Sequence, residues 1–551
     1  MKHVTLDGTS LTIEDVVHVA RDVARDGALV EIDPKIKPRL DEVRKYVEQR
    51  VKESTTAHHG TKESAIYGVT TGFGALKGIL LQTTKDARQI QENVVISHAA
   101  GVGNPLDDEI VRAVMLIRAS TLVAGYSGVR YELIDRLVGM LNAGILPVIP
   151  EQGSVGASGD LAPLSHLALG LIGLGPVRFD GDLIPALAGF ESKKPPLQSF
   201  LNKFRLSYKE GLALMNGLAV TAAIGALNVQ RARELLLWAD AIGSMTAEAV
   251  LGAPRAFDEI VFKVYGHEGA KISAANVRRM TAGSELMNGS PDVHDPYSVR
   301  CIPQVHGAVR DTLGYAATSI QNHLHTVDDD PIFFTKEETA ASTPPVDGWT
   351  DRLHYEHGNF HGAPLGYAMD YLGIAMSDLG SISERRIAML VDKNHNRGLP
   401  GFLTYSRSGT TSGVMLAQYV AASIISENKV LSHPASVDNV PTSADTEDHV
   451  SMSTLAARKA RSIHANVESV LAIELLCAAL ALAYRIGDLP SGEAVQPRRL
   501  GEGTRDLYKL IKSRFANFRE FKERDCVLHD QIEKARQMIR PGAGIKLPLE
   551  G

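Results

Sequence analysis

The chain has 551 residues, of which 44% are hydrophobic and 22% charged, an ordinary globular composition long enough for one large core or several domains. A formal charge of −6, from 58 basic and 64 acidic side chains, gives nucleic acid and anionic membrane surfaces no electrostatic handle. Cys301, Cys477 and Cys526 are too few and too scattered for a disulfide framework, and the opening MKHVTLDGTSLTIEDVVHVA carries acids where a signal peptide needs an apolar run. A cytoplasmic protein with no membrane partner is therefore expected.

Aromatics are only 6%, and the aliphatic periodicity is helical for most of the length. Between 107 and 144, Ile110, Val114 and Ile117 share one face, Gly125 and Gly128 punctuate, and a second helix follows. After Gly159, the positions Leu164, Leu167, Ala168 and Leu171 repeat at i, i+3, i+4, i+7, with Asp160 as the expected N-cap and Pro163 in the first turn. Long periodic runs recur at 207–252, 305–327, 363–392, 413–431 and 451–485. Within the last, LAIELLCAALALAY (471–484) holds Glu474 and is too short to span a bilayer, so it predicts a buried core helix. Strand signals are brief, as at LIPALA (183–188). The polar, proline-paired stretch 335–355 predicts a surface loop or insertion. A Gly/Pro/Arg-rich break at 490–503 precedes a charged, solvent-facing helical tail over 504–540. The predicted fold is mainly α, a long-helix bundle with a loop-rich N-terminal part. Its expected divisions are an N-terminal domain over 1–225, a central helical domain over 226–490 and a C-terminal helical tail over 491–551.

One segment interrupts this pattern. GSVGASGDLAPLSHLA (153–168) places Gly153, Gly156 and Gly159 against the start of a helix. A phosphate loop would carry lysine after its last glycine, where Asp160 stands. A nucleophile elbow would flank its serine with glycines two residues either side; Ser154 follows Gln152, and Ser158 precedes Asp160. Two readings remain. One is a flexible turn feeding a helix. The other is a tripeptide, Ala157-Ser158-Gly159, that cyclises when the unhindered glycine nitrogen attacks the alanine carbonyl. Loss of two waters, one from the serine, then leaves an exposed methylidene.

The segment resembles the prosthetic-group motif of the histidine and aromatic amino-acid ammonia-lyases and aminomutases. In that family Ala-Ser-Gly becomes 4-methylidene-imidazol-5-one (MIO). Further motifs match in order: YGVTTGFGA (67–75), SHAAGVGNPLDD (97–108), KEGLALMNG (209–217), DPYSVRCIPQVHGA (295–308), GNFHG (358–362) and SENKVLSHPASVD…PTSADTEDHVSM (426–452). The resemblance covers roughly residues 60–490 and is closest to the histidine branch. It implies MIO formed autocatalytically from Ala157, Ser158 and Gly159, with Tyr67 on a mobile loop as base and Tyr297 beside the carboxylate-binding Arg300. A free phenol titrates near ~10, so Tyr67 as a base needs a depressed pKa or a concerted transfer. Arg300 offers a planar fork to both carboxylate oxygens. Asn216 and Gln304 resemble residues that hydrogen-bond the prosthetic group or substrate, and Phe360 resembles the aromatic packed beside it. The helix expected near Leu161 would turn its N-terminal amides toward the electrophile.

The resemblance implies a small-molecule amino-acid substrate, and two positions bear on which one. Ser97-His98 resembles the pair of histidine ammonia-lyases, though some tyrosine enzymes share it. Glu447 can accept from an imidazole N–H but offers a phenyl ring only an unpaired charge. L-Histidine, giving trans-urocanate, is therefore the first expectation. A tyrosine or phenylalanine ammonia-lyase, or an aminomutase forming a β-amino acid, is the alternative. Departures from the family pattern include His294, Ala270, NGLA (216–219), Val69-Thr70, and HTVDDDP (325–331) in place of Asn-x-x-x-Asp-Asn-Pro. His294 and His325 either add donors near a substrate or are structural. No metal is expected: His361, His433 and His449 form no H-E-x-x-H set, and VDDDP lacks the ligand spacing of a calcium loop. The family resemblance further implies a homotetramer whose sites combine residues from three chains.

Overall fold

The computed structural model describes residues 3–26, 30–56, 65–290, 292–341, 353–404, 409–489 and 498–550. It is mainly α, as expected. The chain divides into two compact units that are discontinuous in sequence. The first comprises Met1–Leu227, Ala317–Met369 and Pro434–Arg458, and the second Asn228–Ala316, Asp370–His433 and Lys459–Gly551. Four of the divisions fall inside long helices: Ala219–Ala249, Ile302–Leu324, Ala363–Val391 and Ser453–Arg485.

In the first unit, helix Asp108–Val123 is buried continuously from Val111 except at Arg112. It is apolar nearly all round because other elements cover it on every side. Helix Tyr131–Asn142 is amphipathic and buries Leu133, Ile134, Leu137, Val138 and Leu141. The small sheets of this unit are strands of two to four residues: Val4–Leu6 parallel to Val30–Ile32, Val102–Pro105 against Pro150–Gln152, a three-stranded set Leu146–Pro147, Val177–Phe179 and Asp182–Ile184, and Ile332–Phe333 against His354–Tyr355. They tie loops down and do not form a layer. Helix Leu161–Leu171 starts where the sequence placed it, with buried Pro163 in its first turn, where no intrahelical amide bond is lost. Asp160 stands at the cap position without capping. Its buried carboxylate instead accepts from Thr221 N (2.8 Å), Thr221 Oγ1 (2.9 Å), Thr454 Oγ1 (2.6 Å) and Ser154 Oγ (3.1 Å). Asp160 thus fastens the glycine run to two distant segments.

The second unit is built on helices. From Val470 to Ala483 every residue of Ser453–Arg485 other than Glu474 is apolar and buried. That helix is long and apolar enough to cross a membrane, yet 94% of its apolar window is buried inside the fold. The charged segment 504–540 is not solvent-facing throughout. Helix Glu502–Arg514 buries Thr504, Leu507, Tyr508 and Ile511, and helix Leu528–Ile539 buries Ala535, Met538 and Ile539. Most of the expected 335–355 loop (342–352) and of the 490–503 break (490–497) lies outside the described residues. The loop's first part is a short helix, Lys336–Ala340, closed by a Thr335–Glu338 capping box.

Candidate active site

All three glycines of the run adopt positive φ: Gly153 (131°), Gly156 (67°) and Gly159 (74°). Space explains the latter two equally. A Cβ on Gly156 would lie 2.3 Å from Ser451 Oγ, and one on Gly159 would lie 2.2 Å from the carbonyl oxygen of Gly217. Gly159 pairs with Gly217 as a parallel bridge, Asp160 N donates to Gly217 O (2.7 Å), and Ser451 Oγ donates to Gly156 O (2.8 Å). The run is therefore gripped from both sides, and Ala157 is only 4% exposed.

Ser158 projects from this grip into a cavity with two compartments, of about 500 and 600 Å³. Tyr67, Gly74, Ser158, Asn216 and Glu447 line both. The first compartment adds Lys77, Asp330, Glu356, Phe360, His361, Asp448 and His449. The second adds Phe73, Ile90, Val94, Ser97, His98, Leu161, Leu212 and Met215, and is the more apolar of the two.

Tyr67 is held by the residues after it. Ile66 N donates to Thr70 Oγ1 (2.8 Å), Gly68 N donates to Thr71 Oγ1 (3.1 Å), and Gly68 and Gly74 take positive φ. The Tyr67 hydroxyl accepts from Gly74 N (3.0 Å), and the Phe73 ring meets Tyr67 edge-on at 6.2 Å. Burial raises the phenol's pKa, Asp330 and Glu447 push it further up, and the Gly74 amide opposes them. The depressed phenol that the base role invites is thus not what this chain's fold provides.

Glu447 sits on a tight turn. Thr442 and Glu447 exchange both backbone hydrogen bonds, and the intervening Ser443, Ala444 and Asp445 are all left-handed (φ 51°, 51° and 61°). Thr442 Oγ1 donates to Glu447 Oε2 (2.8 Å), while Ser158 Oγ donates to Oε1 (2.7 Å). Asn216 is 3% exposed, and its Oδ1 has no hydrogen-bond partner. Ser97 Oγ lies 3.1 Å from His98 Nδ1, and burial lowers the His98 pKa.

The family model for aromatic amino acid lyases matches residues 11–513. The chain belongs to the aromatic amino acid lyase family. It is 44% identical over 544 residues to a histidine ammonia-lyase of Caldanaerobacter subterraneus, covering 98% of this chain and 97% of that one. Its fold matches the crystal structure of histidine ammonia-lyase from Trypanosoma cruzi with a TM-score of 0.82 at 32% identity, covering 98% and 94% of the two chains. It matches a tyrosine aminomutase of Streptomyces globisporus with a TM-score of 0.83 at 32% identity, covering 99% of each. The protein is a carbon–nitrogen lyase.

In this lyase the fold brings Tyr67, Ser97, His98, Ser158, Asn216, Phe360 and Glu447 around one cavity, with Ala157 in its wall and Gly159 directly behind. His294, Tyr297, Arg300 and Gln304 belong to the second unit and line neither compartment. His294 is exposed. Tyr297 is 70% exposed with the Arg300 guanidinium 4.8 Å from its ring centre, and Arg300 Nε and Gln304 Oε1 are buried without partners. His325 is structural: its Nε2 meets the carbonyl oxygen of Leu11 (3.0 Å) and the amide of Gln321 (3.1 Å). His361 and His449 stack at 5.5 Å in the first compartment, with His361 Nε2 donating to His449 O (3.2 Å). Among the described residues no three His, Cys, Asp or Glu side chains converge as a metal site. Two site residues were missed in the sequence. Thr442 lies inside the matched PTSADTEDHVSM but is not marked out within it, and Asp330 was visible only as a departure from a pattern.

Proposed function

We propose that this lyase eliminates ammonia from L-histidine to give trans-urocanate, using MIO formed from Ala157-Ser158-Gly159. The observation that carries the reading is Glu447: a carboxylate held by two hydroxyls, facing the cavity beside Ser158. The residues fit the prosthetic group. Glycine at 159 is enforced by the Gly217 carbonyl, and Ala157 is enclosed. When formed, the ring supplies an electrophile that makes the amine a better leaving group. Its formation consumes the Ser158 hydroxyl, and with it the donor that occupies Glu447 Oε1. That oxygen then accepts the imidazole N–H of the substrate, whose ring lies in the apolar second compartment toward Ser97 and His98. Helix Leu161–Leu171 begins two residues after Gly159, so its positive end stabilises charge developing nearby.

Tyr67 is the proposed proton-transfer residue at the β-carbon. With the phenol raised by burial, the reactive phenolate is a minor form whose share grows with pH, so turnover rises through the neutral-to-alkaline range. Tyr297, Arg300 and Gln304 are proposed to serve the site of a neighbouring copy in a homotetramer. The unpartnered Arg300 Nε and Gln304 Oε1 support this, as do the exposed apolar side chains of Tyr371, Ile374, Leu416 and Tyr419. His294 is proposed as a specificity residue of the same shared site. Three free cysteines support a cytoplasmic location.

The test is direct. Incubation with L-histidine should release urocanate, followed by its absorbance, and Ser158→Ala should abolish both turnover and the ultraviolet band of MIO. The Ser158→Ala loss should be on the order of 10⁴-fold or more. The Ser97–His98 pair, a hydroxyl and an imidazole suited to a phenol, supports a second reading with tyrosine. Coumarate or cinnamate without urocanate would replace histidine as the substrate, and a β-amino acid would make the protein an aminomutase.

A further inference from the structure

Asp330 has no role in the reading above, yet it is 6% exposed and lines the first compartment with Tyr67, Ser158 and Asn216. Its carboxylate accepts from the backbone N–H of His357 (2.9 Å). Lys209, beside it, is committed elsewhere: its ammonium donates to Asp329 Oδ1 (2.6 Å) and to the backbone carbonyl of Asp330 (3.2 Å). A carboxylate on a cavity wall, with no ion pair of its own among the described residues, asks for a donor that is also a cation.

An amino acid supplies one. With the ring in the apolar second compartment, its α-carbon lies by Ser158 and its charged end lies in the first. We propose that Asp330 binds the α-ammonium group of the substrate. The inference rests on the cavity being the amino-acid site. Asp330 then sets which way round that charged end sits, because a carboxylate attracts the ammonium and repels the substrate's own carboxylate. Lys209, Asp329, Glu356, Tyr67 and the main chain of His357 surround Asp330, and Lys77, His361, Glu447, Asp448 and His449 line the same compartment. Burial holds its pKa up at about 6, so it is charged at neutral pH and loses the charge in mild acid.

Histamine and imidazolepropionate separate the two ends of the substrate, one keeping the ammonium and the other the carboxylate. Wild-type turnover of histidine tests the substrate reading by itself. Asp330→Asn then tests the inference, with a thermal melt to confirm the fold. The variant should weaken histamine inhibition and raise the KM for histidine at least about tenfold, the loss of one charge-assisted contact. Imidazolepropionate inhibition should stay within about twofold. Unchanged histamine inhibition, or imidazolepropionate inhibition weakened as much as that of histamine, would overturn the assignment. The wild type gives a second measurement that needs no variant. The ratio of the histamine to the imidazolepropionate inhibition constant should climb as pH falls below about 6. The imidazoles of the two probes titrate at different pH, so each inhibition constant is first corrected for the probe's own imidazole pKa, and a corrected ratio that stays flat would overturn the proposal. If histidine is not turned over, tyramine and p-hydroxyphenylpropionate run the same comparison for a tyrosine site.

Discussion

Glu474 and Glu447 are two carboxylates that the fold treats in opposite ways. Glu474, in the second unit, is fully buried and fully satisfied: Arg386 Nε donates to Oε1 (2.5 Å) and Nη2 to Oε2 (2.9 Å), Thr246 Oγ1 donates to Oε1 (2.8 Å), and Ser383 Oγ donates to Oε2 (2.6 Å). Glu447, in the first unit, is held by two neutral hydroxyls on the rim of a cavity. A buried carboxylate with a bidentate cation has no capacity left for a ligand. One held by hydroxyls, with a donor that the proposed chemistry removes, keeps its charge for something that is not yet there. The difference between a structural and a functional acid is thus visible in who neutralises it.

Breaking the closed end of this comparison should cost the most. Arg386→Met leaves Glu474 charged and unpaired in the core, which should destabilise the protein by about 3–5 kcal/mol. Chemical or thermal unfolding checks this, and Arg386→Met combined with Glu474→Leu should recover most of the loss, because replacing both partners leaves no stranded charge. Turnover per folded molecule should be preserved in both. A stability change below about 1 kcal/mol in the single variant would contradict the ion-pair account.

The open end should respond in catalysis and not in stability. Glu447→Gln removes a charge-assisted acceptor for the imidazole, worth roughly 100-fold in kcat/KM for histidine. The ultraviolet band of the prosthetic group should persist and the melting temperature should barely move. Discrimination against phenylalanine should shrink, because the variant no longer presents an uncompensated charge to a phenyl ring. An equal loss on every substrate would instead tie Glu447 to formation of the prosthetic group through its contact with Ser158.

How far these two acids could be told apart from sequence is instructive. Glu447 was legible because TEDHVSM is a motif, and the helix holding Glu474 was legible because its apolar run is unmistakable. The glycine run was legible for the same local reason, since Gly-rich text abutting a helix has few uses. The pairing of Glu474 with Arg386 was not legible, because nothing local records a contact across 88 residues. Asp160 illustrates the converse failure. Position alone makes it a cap, but Thr221 and Thr454 outcompete the helix amides for its oxygens. The long helices were visible in their periodicity, whereas the compact units cut through four of them, and periodicity carries no trace of that.

The finest probe is the residue that orients Glu447 without touching the substrate. Ser443, Ala444 and Asp445 all take positive φ, a conformation that costs energy in each residue with a side chain. The turn persists because Thr442 and Glu447 close it from both sides, through paired main-chain bonds and the 2.8 Å hydroxyl–carboxylate contact. Thr442→Val keeps the shape and the backbone pair and removes one hydrogen bond, so it should cost about 1 kcal/mol, or about fivefold, in kcat/KM for histidine. If Thr442 positions the imidazole acceptor, the loss should fall on KM for histidine and spare poor phenyl substrates, and Thr442→Ser should restore it. A loss shared by all substrates, with a lowered melting temperature, would show that the hydroxyl supports the turn and leaves the aim of Glu447 to the backbone.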